Sequence, residues 1–152
     1  MNWDALDIMA AGALICSAAG GFFVVTRFST GPYYMAAAGL AAITALALVW
    51  ASLAVGIIGA SADPANLMYP GVLAVGAIGA LLARFRPGGM ARALWAMAGA
   101  QIAVGVIALA FGMGGEASAW PGDILVGSAL FSLLWGLSAT LFRRAAAEAT
   151  AS

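Results

Sequence analysis

Residues 84–89, Arg84-Phe85-Arg86-Pro87-Gly88-Gly89, separate two long apolar runs of the chain. Proline and paired glycines are typical of a tight turn between two regular elements. Arginines beside an apolar run are typical of the cytoplasmic end of a membrane span. Because the connection is so short, we predict that the runs on either side form antiparallel neighbouring helices.

The composition of the chain predicts that much of its surface lies in membrane lipid. Of its 152 residues, 64% are hydrophobic and 8% are charged, and the mean hydropathy is +1.04. Globular proteins are usually about half apolar, so the excess here is expected to face membrane lipid. The net charge is zero and no basic block occurs, so we predict no nucleic-acid partner.

Five apolar runs are candidates for membrane-spanning helices, because about 20 residues are needed to cross a bilayer. They lie at about residues 6–26, 33–59, 67–83, 93–113 and 124–142. The first run is preceded by Asp4 rather than by the basic segment of a cleaved signal peptide, so we expect it to remain as a span. The sequence therefore predicts an all-α, polytopic membrane helix bundle with five transmembrane helices in a single domain, 1–152.

Charge predicts the orientation of this bundle. With five crossings, all arginines face one compartment, namely Arg27, Arg84, Arg86, Arg92, Arg143 and Arg144. Five carboxylates face the other compartment, namely Asp4, Asp7, Asp63, Glu116 and Asp123. The positive-inside rule then puts the N-terminus outside and the C-terminus inside.

Two segments of the chain resemble each other. Residues 51–58 are similar to residues 100–107, and the Tyr-Pro-Gly of 69–71 is similar to the Trp-Pro-Gly of 120–122. One hypothesis is that the helical hairpin 33–83 is repeated as 93–142. The other is chance similarity between two segments rich in alanine and glycine, and the sequence leaves both open.

The spans lack the groups that membrane enzymes and pumps commonly use. They contain no histidine or lysine, and no charged residue at bilayer depth, where such groups usually carry transport or proton relay. Cys16 is the only cysteine, which excludes an intrachain disulfide and a multi-cysteine metal site. We therefore predict a protein that is not an enzyme and that needs no cofactor or metal.

A candidate binding site consists of the polar and aromatic residues near the middle of the bilayer. Gln101 carries an amide whose donor and acceptor would be desolvated without a partner. Trp50 and Trp135 lie deeper than the tryptophans of an interfacial belt, and Ser132 lies one turn from Trp135. These four residues are predicted to form a pocket or a contact. The alternative is that Gln101 bonds a neighbouring helix while the tryptophans pack or contact lipid.

Small residues recur at intervals of four, a spacing that lets helix backbones approach one another in lipid. The pattern is found at Gly12, Cys16 and Gly20, at Gly76 and Ala80, and at Ser128, Ser132 and Gly136. It predicts a closely packed bundle.

The segments Asp63-Pro64-Ala65-Asn66-Leu67-Met68-Tyr69 and Arg84-Phe85-Arg86-Pro87 resemble those of small multi-pass membrane proteins of sphingomonad-like alphaproteobacteria. The resemblance covers about the middle and C-terminal two-thirds of the chain. It implies a bacterial inner membrane, and it carries over no activity and no functional residue.

These observations favour a small non-enzymatic integral membrane protein that serves as a structural, assembly or accessory subunit through helix packing. Its expected partners are membrane lipid and either further copies of itself or a larger membrane complex. One alternative is a passive channel or carrier for a small neutral or apolar solute. Another is binding of lipid, quinone or carotenoid between helices.

Overall fold

A computed structural model describes residues 4–27, 31–54, 57–58 and 64–151, and these residues contain helices and no strand. The helices are α1 (Ala5–Thr26), α2 (Pro32–Ala54), a short 3-10 helix (Pro64–Leu67), α3 (Met68–Leu82), α4 (Pro87–Ala110) and α5 (Gly122–Ala151). The prediction of an all-α helix bundle is confirmed.

Four helical segments are long and apolar enough to cross a membrane. They are Pro32–Ser52, Ala65–Leu82, Pro87–Ala110 and Gly122–Ala151. Each approaches or exceeds the roughly 20 residues that a bilayer requires. The chain is therefore a helical, membrane-embedded protein. Helix α1, with 22 residues, corresponds to the first span of the sequence-based prediction.

The described part of helix α2 ends at Ala54, and Ile57 and Ile58 lie outside a helix, whereas the sequence suggested a span that continues to Gly59, a residue outside the described part of the chain. The reason is a contact with the buried side chain of Asn66. Its Oδ1 accepts hydrogen bonds from the backbone N–H groups of Ile57 and Ile58, at 3.1 and 3.0 Å, and its Nδ2 donates to the Ile58 carbonyl at 3.0 Å. The amide thus satisfies backbone groups outside the helix, so the chain can bend here within an apolar setting.

Two other helix boundaries also differ from the prediction. Helix α4 begins at Pro87, six residues before Ala93, because proline suits the first position of a helix, where its missing N–H costs nothing. Helix α5 continues from Phe142 through the alanine-rich tail to Ala151. Alanine has the highest helix propensity, and the tail is anchored by the buried Ala145.

The helices follow a different order in space than in sequence. Helix α4 packs on both α3 and α5, α5 also packs on α2, and α1 packs on α2. The contact between α2 and α3 is small. The two hairpins of the hypothetical repeat are thus packed differently, since α4 and α5 form a tight pair and α2 and α3 do not. The repeat stays a hypothesis of the sequence.

Helices α3 and α4 approach each other through small residues. A Cβ added to Gly79 would lie 2.7 Å from Ala93 Cβ and 3.3 Å from Ala93 Cα. Gly76 lies against the Met97 side chain in the same way, and Gly89 lies against Ala83. The predicted antiparallel packing of the two helices therefore depends on backbones that come nearly into contact.

The arginines of the α3–α4 turn and of the α5 tail lie at one end of the bundle. The Tyr34 hydroxyl donates to the Phe85 carbonyl at 2.7 Å, and the Tyr34 ring meets the Phe142 ring edge-on with 5.2 Å between centroids. The start of α2, the α3–α4 turn and the end of the apolar part of α5 therefore lie together. The arginines of that turn and of the α5 tail are exposed at this end, and Arg144 lies over the Tyr33 ring.

The close approach of α3 and α4 predicts the effect of a larger residue at Gly79. The Gly79→Val variant is expected to lose about 1–3 kcal/mol of unfolding free energy, because its Cβ would meet the backbone of Ala93 and separate the helices. Unfolding in detergent, followed by circular dichroism, measures this loss. Gly71→Val in the same helix is the control, since nothing described lies within 4 Å of a Cβ there. Equal stability of the two variants would contradict the prediction.

Candidate functional site

Gln101 is the most deeply buried polar group at the centre of α4. Its side chain has no exposed surface. Among the residues that the structure describes, neither its Oε1 nor its Nε2 has a hydrogen-bond partner. An amide in this condition lacks the compensation that buried polar groups normally receive, which costs about 1–3 kcal/mol. It is therefore the first residue to consider as part of a site.

The register of α4 against α5 shows what Gln101 faces. The Ser132 hydroxyl donates to the Ala98 carbonyl at 3.1 Å, and Gly105 lies directly against Ser128. Gln101 follows Ala98 by three residues and precedes Gly105 by four, so the three share one face of α4. Gln101 thus faces α5 at a level between Ser128 and Ser132.

An open groove of about 450 Å³ runs between α4 and α5. Its lining residues are Ile102, Gly105, Val106, Leu109, Ile124, Leu125, Ser128, Ala129, Ser132 and Leu133. Ile102, Val106 and Leu133 are more than half exposed, so the groove opens on the outer surface of the bundle. Its wall is almost wholly apolar, and the hydroxyls of Ser128 and Ser132 are the polar side-chain groups in it.

The Ser128 hydroxyl resembles the Gln101 amide in its surroundings. Its oxygen is buried and has no hydrogen-bond partner within the described part of the chain. The sequence indicated Ser128 only as a small packing residue, and it was not among the predicted site residues. Its position opposite Gly105 could have been found by pairing α4 and α5 as antiparallel neighbours and placing small residues in contact.

The four predicted site residues occupy different surroundings. Ser132 lines the groove, and Gln101 lies behind it in the same α4–α5 interface. Trp135 is buried in the core at 1% exposure, and its indole N–H has no partner among the described residues. Trp50 is 52% exposed on α2, away from the groove lining. Gln101 and Ser132 thus lie in one helix interface, Trp135 lies in the core and Trp50 is exposed, and a site formed by all four residues stays a prediction.

The groove and the residues behind it can form hydrogen bonds without carrying charge. Gln101 offers two donors and an acceptor, and Ser128 offers one donor and an acceptor. In the described residues, no three histidine, cysteine or carboxylate side chains are grouped closely enough to hold a metal ion. The groove itself is thus an apolar surface without charged side chains, and the polar atoms of Gln101 and Ser128 are buried beside it.

The burial of Gln101 without a partner predicts a gain in stability on its removal. The Gln101→Leu variant is expected to gain about 1–3 kcal/mol of unfolding free energy in detergent, because a similar volume is kept and the unpaired amide is lost. Ser138→Ala is the contrasting control. That hydroxyl donates to the Ala37 carbonyl at 2.8 Å, so its loss should destabilise the protein by about 1 kcal/mol. A greater loss for Gln101→Leu than for Ser138→Ala would show that the amide is paired.

No protein-family model, curated protein or solved structure matches this chain. Its own helices, four of them long and apolar enough to cross a bilayer, identify it as a helical membrane protein.

Proposed function

We propose that the chain is a non-enzymatic integral protein of a bacterial inner membrane that acts as an accessory or assembly subunit through helix packing. Its N-terminus lies outside and its C-terminus in the cytoplasm. The observation that carries the proposal is the exposed small-residue face of α1, which consists of Gly12, Cys16 and Gly20.

Helix α1 is attached to the bundle along a limited surface. It packs on α2, where Phe22 lies 3.5 Å from a Cβ added to Gly39. Most of its described side chains are exposed, Met9 and Phe23 among them. Nothing that the structure describes lies within 4 Å of a Cβ added to Gly12 or Gly20. A second helix therefore has room to approach this face closely.

The rest of the bundle shows how this chain uses such faces. Side chains of α4 occupy the space beside Gly76 and Gly79 of α3. The Ser128 side chain of α5 occupies the space beside Gly105 of α4. In lipid, helices associate through this close packing because the hydrophobic effect does not drive them together. The α1 face also consists of small residues, which are four positions apart, and it lies on the outside of the bundle. This supports a contact with a second copy of the chain or with a helix of a larger complex.

The short connections support a role without catalysis. Only residues 83–86 connect α3 to α4, and residues 111–121 connect α4 to α5. Little of the described chain thus lies beyond the helices to form a water-exposed active site. Because most of the described chain is helix, a function that acts through helix packing is the one that the structure favours.

A passive channel is a weaker candidate. It would require a cavity at the level of Gln101, lined by polar and aromatic groups. Gln101 and Trp135 are instead enclosed by packing, Trp50 is half exposed, and the groove opens sideways. Binding of an apolar ligand has a specific observation in its favour, the α4–α5 groove.

The exposed α1 face predicts a cross-link through the natural cysteine. In native membranes, a short bis-maleimide is expected to join Cys16 of two copies, or Cys16 to a partner subunit. Gly12→Leu should abolish the product, because its side chain would hold the helices apart. Gly99→Leu is the matched control, since Gly99 is also exposed with nothing described within 4 Å. Equal cross-linking in the two variants, or none in the unaltered protein, would count against the proposal.

The proposed orientation predicts opposite labelling of the loop before α5 and of the C-terminal part of α5. In a Cys16→Ser background, Glu116→Cys should react with an impermeant maleimide in intact spheroplasts. Ala147→Cys should react only after the membrane is permeabilised. Both positions are exposed, so failure to react reflects sidedness rather than burial. Reaction of both from one side would overturn the topology.

A further inference from the structure

We propose that the outer seam between α4 and α5 binds an anionic phospholipid at the basic end of the bundle. The outer seam is the lipid-facing side of this helix pair that carries Arg92 and Trp95 of α4 and Gly136 and Arg143 of α5. The two guanidinium groups bind the phosphate, and an acyl chain lies along the seam towards the α4–α5 groove. The site requires neither the α1 face nor a particular orientation of the chain in the membrane.

Arg92 and Arg143 lie at nearly the same depth in the bundle. A Cβ added to Gly88 would lie 4.0 Å from Ala146 Cβ, so these two residues meet where α4 begins. Arg92 follows Gly88 by four residues, and Arg143 precedes Ala146 by three. Residue numbers fall along α5 as they rise along α4, so both arginines lie further into the bundle than this contact. The distances are about 6 and 4.5 Å at 1.5 Å per residue.

Both arginines also lie on the side of the helix pair where Trp95 packs. The Trp95 ring lies 3.3 Å from a Cβ added to Gly136. Arg92 precedes Trp95 by three residues, which keeps the two on one face of α4. Arg143 follows Gly136 by seven residues, about two turns, which keeps these two on one face of α5. Both arginine side chains are exposed, and their long stems allow the charged ends to reach one headgroup.

The charge of this end favours an anion. Five arginines lie there, and from residue 64 onward the described chain has one acidic residue near them, Glu148. Glu148 follows Arg143 by five residues, a spacing that places it on a different face of α5. The planar guanidinium group suits phosphate, and basic sites between membrane helices are typical binding sites for anionic headgroups.

The surface beside the arginines is apolar over the length of an acyl chain. Ile102, at the near end of the α4–α5 groove, lies ten residues after Arg92. Leu133, at the same end of the groove, lies ten residues before Arg143. Each separation is about 15 Å, half of the roughly 30 Å of hydrocarbon in a bilayer and hence the depth that one acyl chain spans. A phospholipid therefore contacts both the arginines and the apolar seam, whereas a free phosphate contacts the arginines alone.

Dioleoylphosphatidylglycerol and dioleoylphosphatidylcholine test the proposal as a matched pair, since they share their acyl chains and only the first has a net negative charge. Added to the full-length protein in detergent, the phosphatidylglycerol is expected to raise the melting temperature by several degrees, as a ligand of the folded state does. The phosphatidylcholine should give less than half of this shift, and inorganic phosphate should give none. Equal shifts with the two lipids, or an equal shift with phosphate, would overturn the proposal.

Charge-neutral variants locate the headgroup. Arg92→Gln and Arg143→Gln should each reduce the phosphatidylglycerol shift by half or more, measured against the same variant without lipid. Arg27→Gln is the matched control, because it removes the same charge from an exposed arginine at the end of α1, outside the seam. An equal reduction in Arg27→Gln would show attraction to overall charge and overturn the site. A purely structural role would lower the melting temperature without lipid and leave the shift intact, which would equally overturn it.

A variant on the seam tests the path of the acyl chain. Gly99 is exposed on α4 one turn beyond Trp95, with nothing described within 4 Å of an added Cβ. Gly99→Phe should therefore fold and reduce the phosphatidylglycerol shift by half or more, since its ring occupies the path of the chain. Gly71→Phe is the control, because Gly71 is similarly open and lies on α3. An unchanged shift in Gly99→Phe would overturn the proposed path.

Discussion

Close approach between helix backbones is the constraint on which this bundle depends. Burial of apolar side chains gains little in lipid, so the helices must be held by van der Waals packing and by hydrogen bonds between them. Gly79 against Ala93 and Gly105 against Ser128 each bring a backbone within reach of a side chain of the neighbouring helix. Larger residues at these glycines would separate the helices and remove both kinds of contact.

Hydrogen bonds from side chains to backbone carbonyls follow from this proximity. Ser138 of α5 reaches the Ala37 carbonyl of α2, and Ser132 reaches the Ala98 carbonyl of α4. A hydroxyl on a short side chain can bond a neighbouring helix only when the two backbones are near. At the basic end, Tyr34 bonds the carbonyl of Phe85, a residue whose φ of 58° is unusual for a side chain of this size. This contact helps to hold the α3–α4 turn against α2.

The sequence was sufficient for features that depend on local composition. Apolar runs and the Arg-Phe-Arg-Pro-Gly-Gly turn predicted helices, their approximate bounds and the antiparallel packing of α3 on α4. The bend after α2 could not be predicted in this way, because it depends on Asn66, whose side chain bonds the backbone of Ile57 and Ile58, nine and eight residues earlier in the chain. The position of a residue along a helix also does not determine whether its side chain faces the bundle or the lipid. Trp50 and Trp135 were placed at similar depth, yet only Trp135 is buried.

Gln101 shows how a buried polar group can limit the choice of function. Its expected burial against protein follows from the cost of exposing an amide to lipid, and the structure places it between α4 and α5. Burial alone does not compensate that cost, since the amide lacks a partner in the described chain. A leucine would fill a similar volume at lower cost. Because packing encloses the amide, Gln101 does not line an open cavity at this level, and this weakens the channel hypothesis.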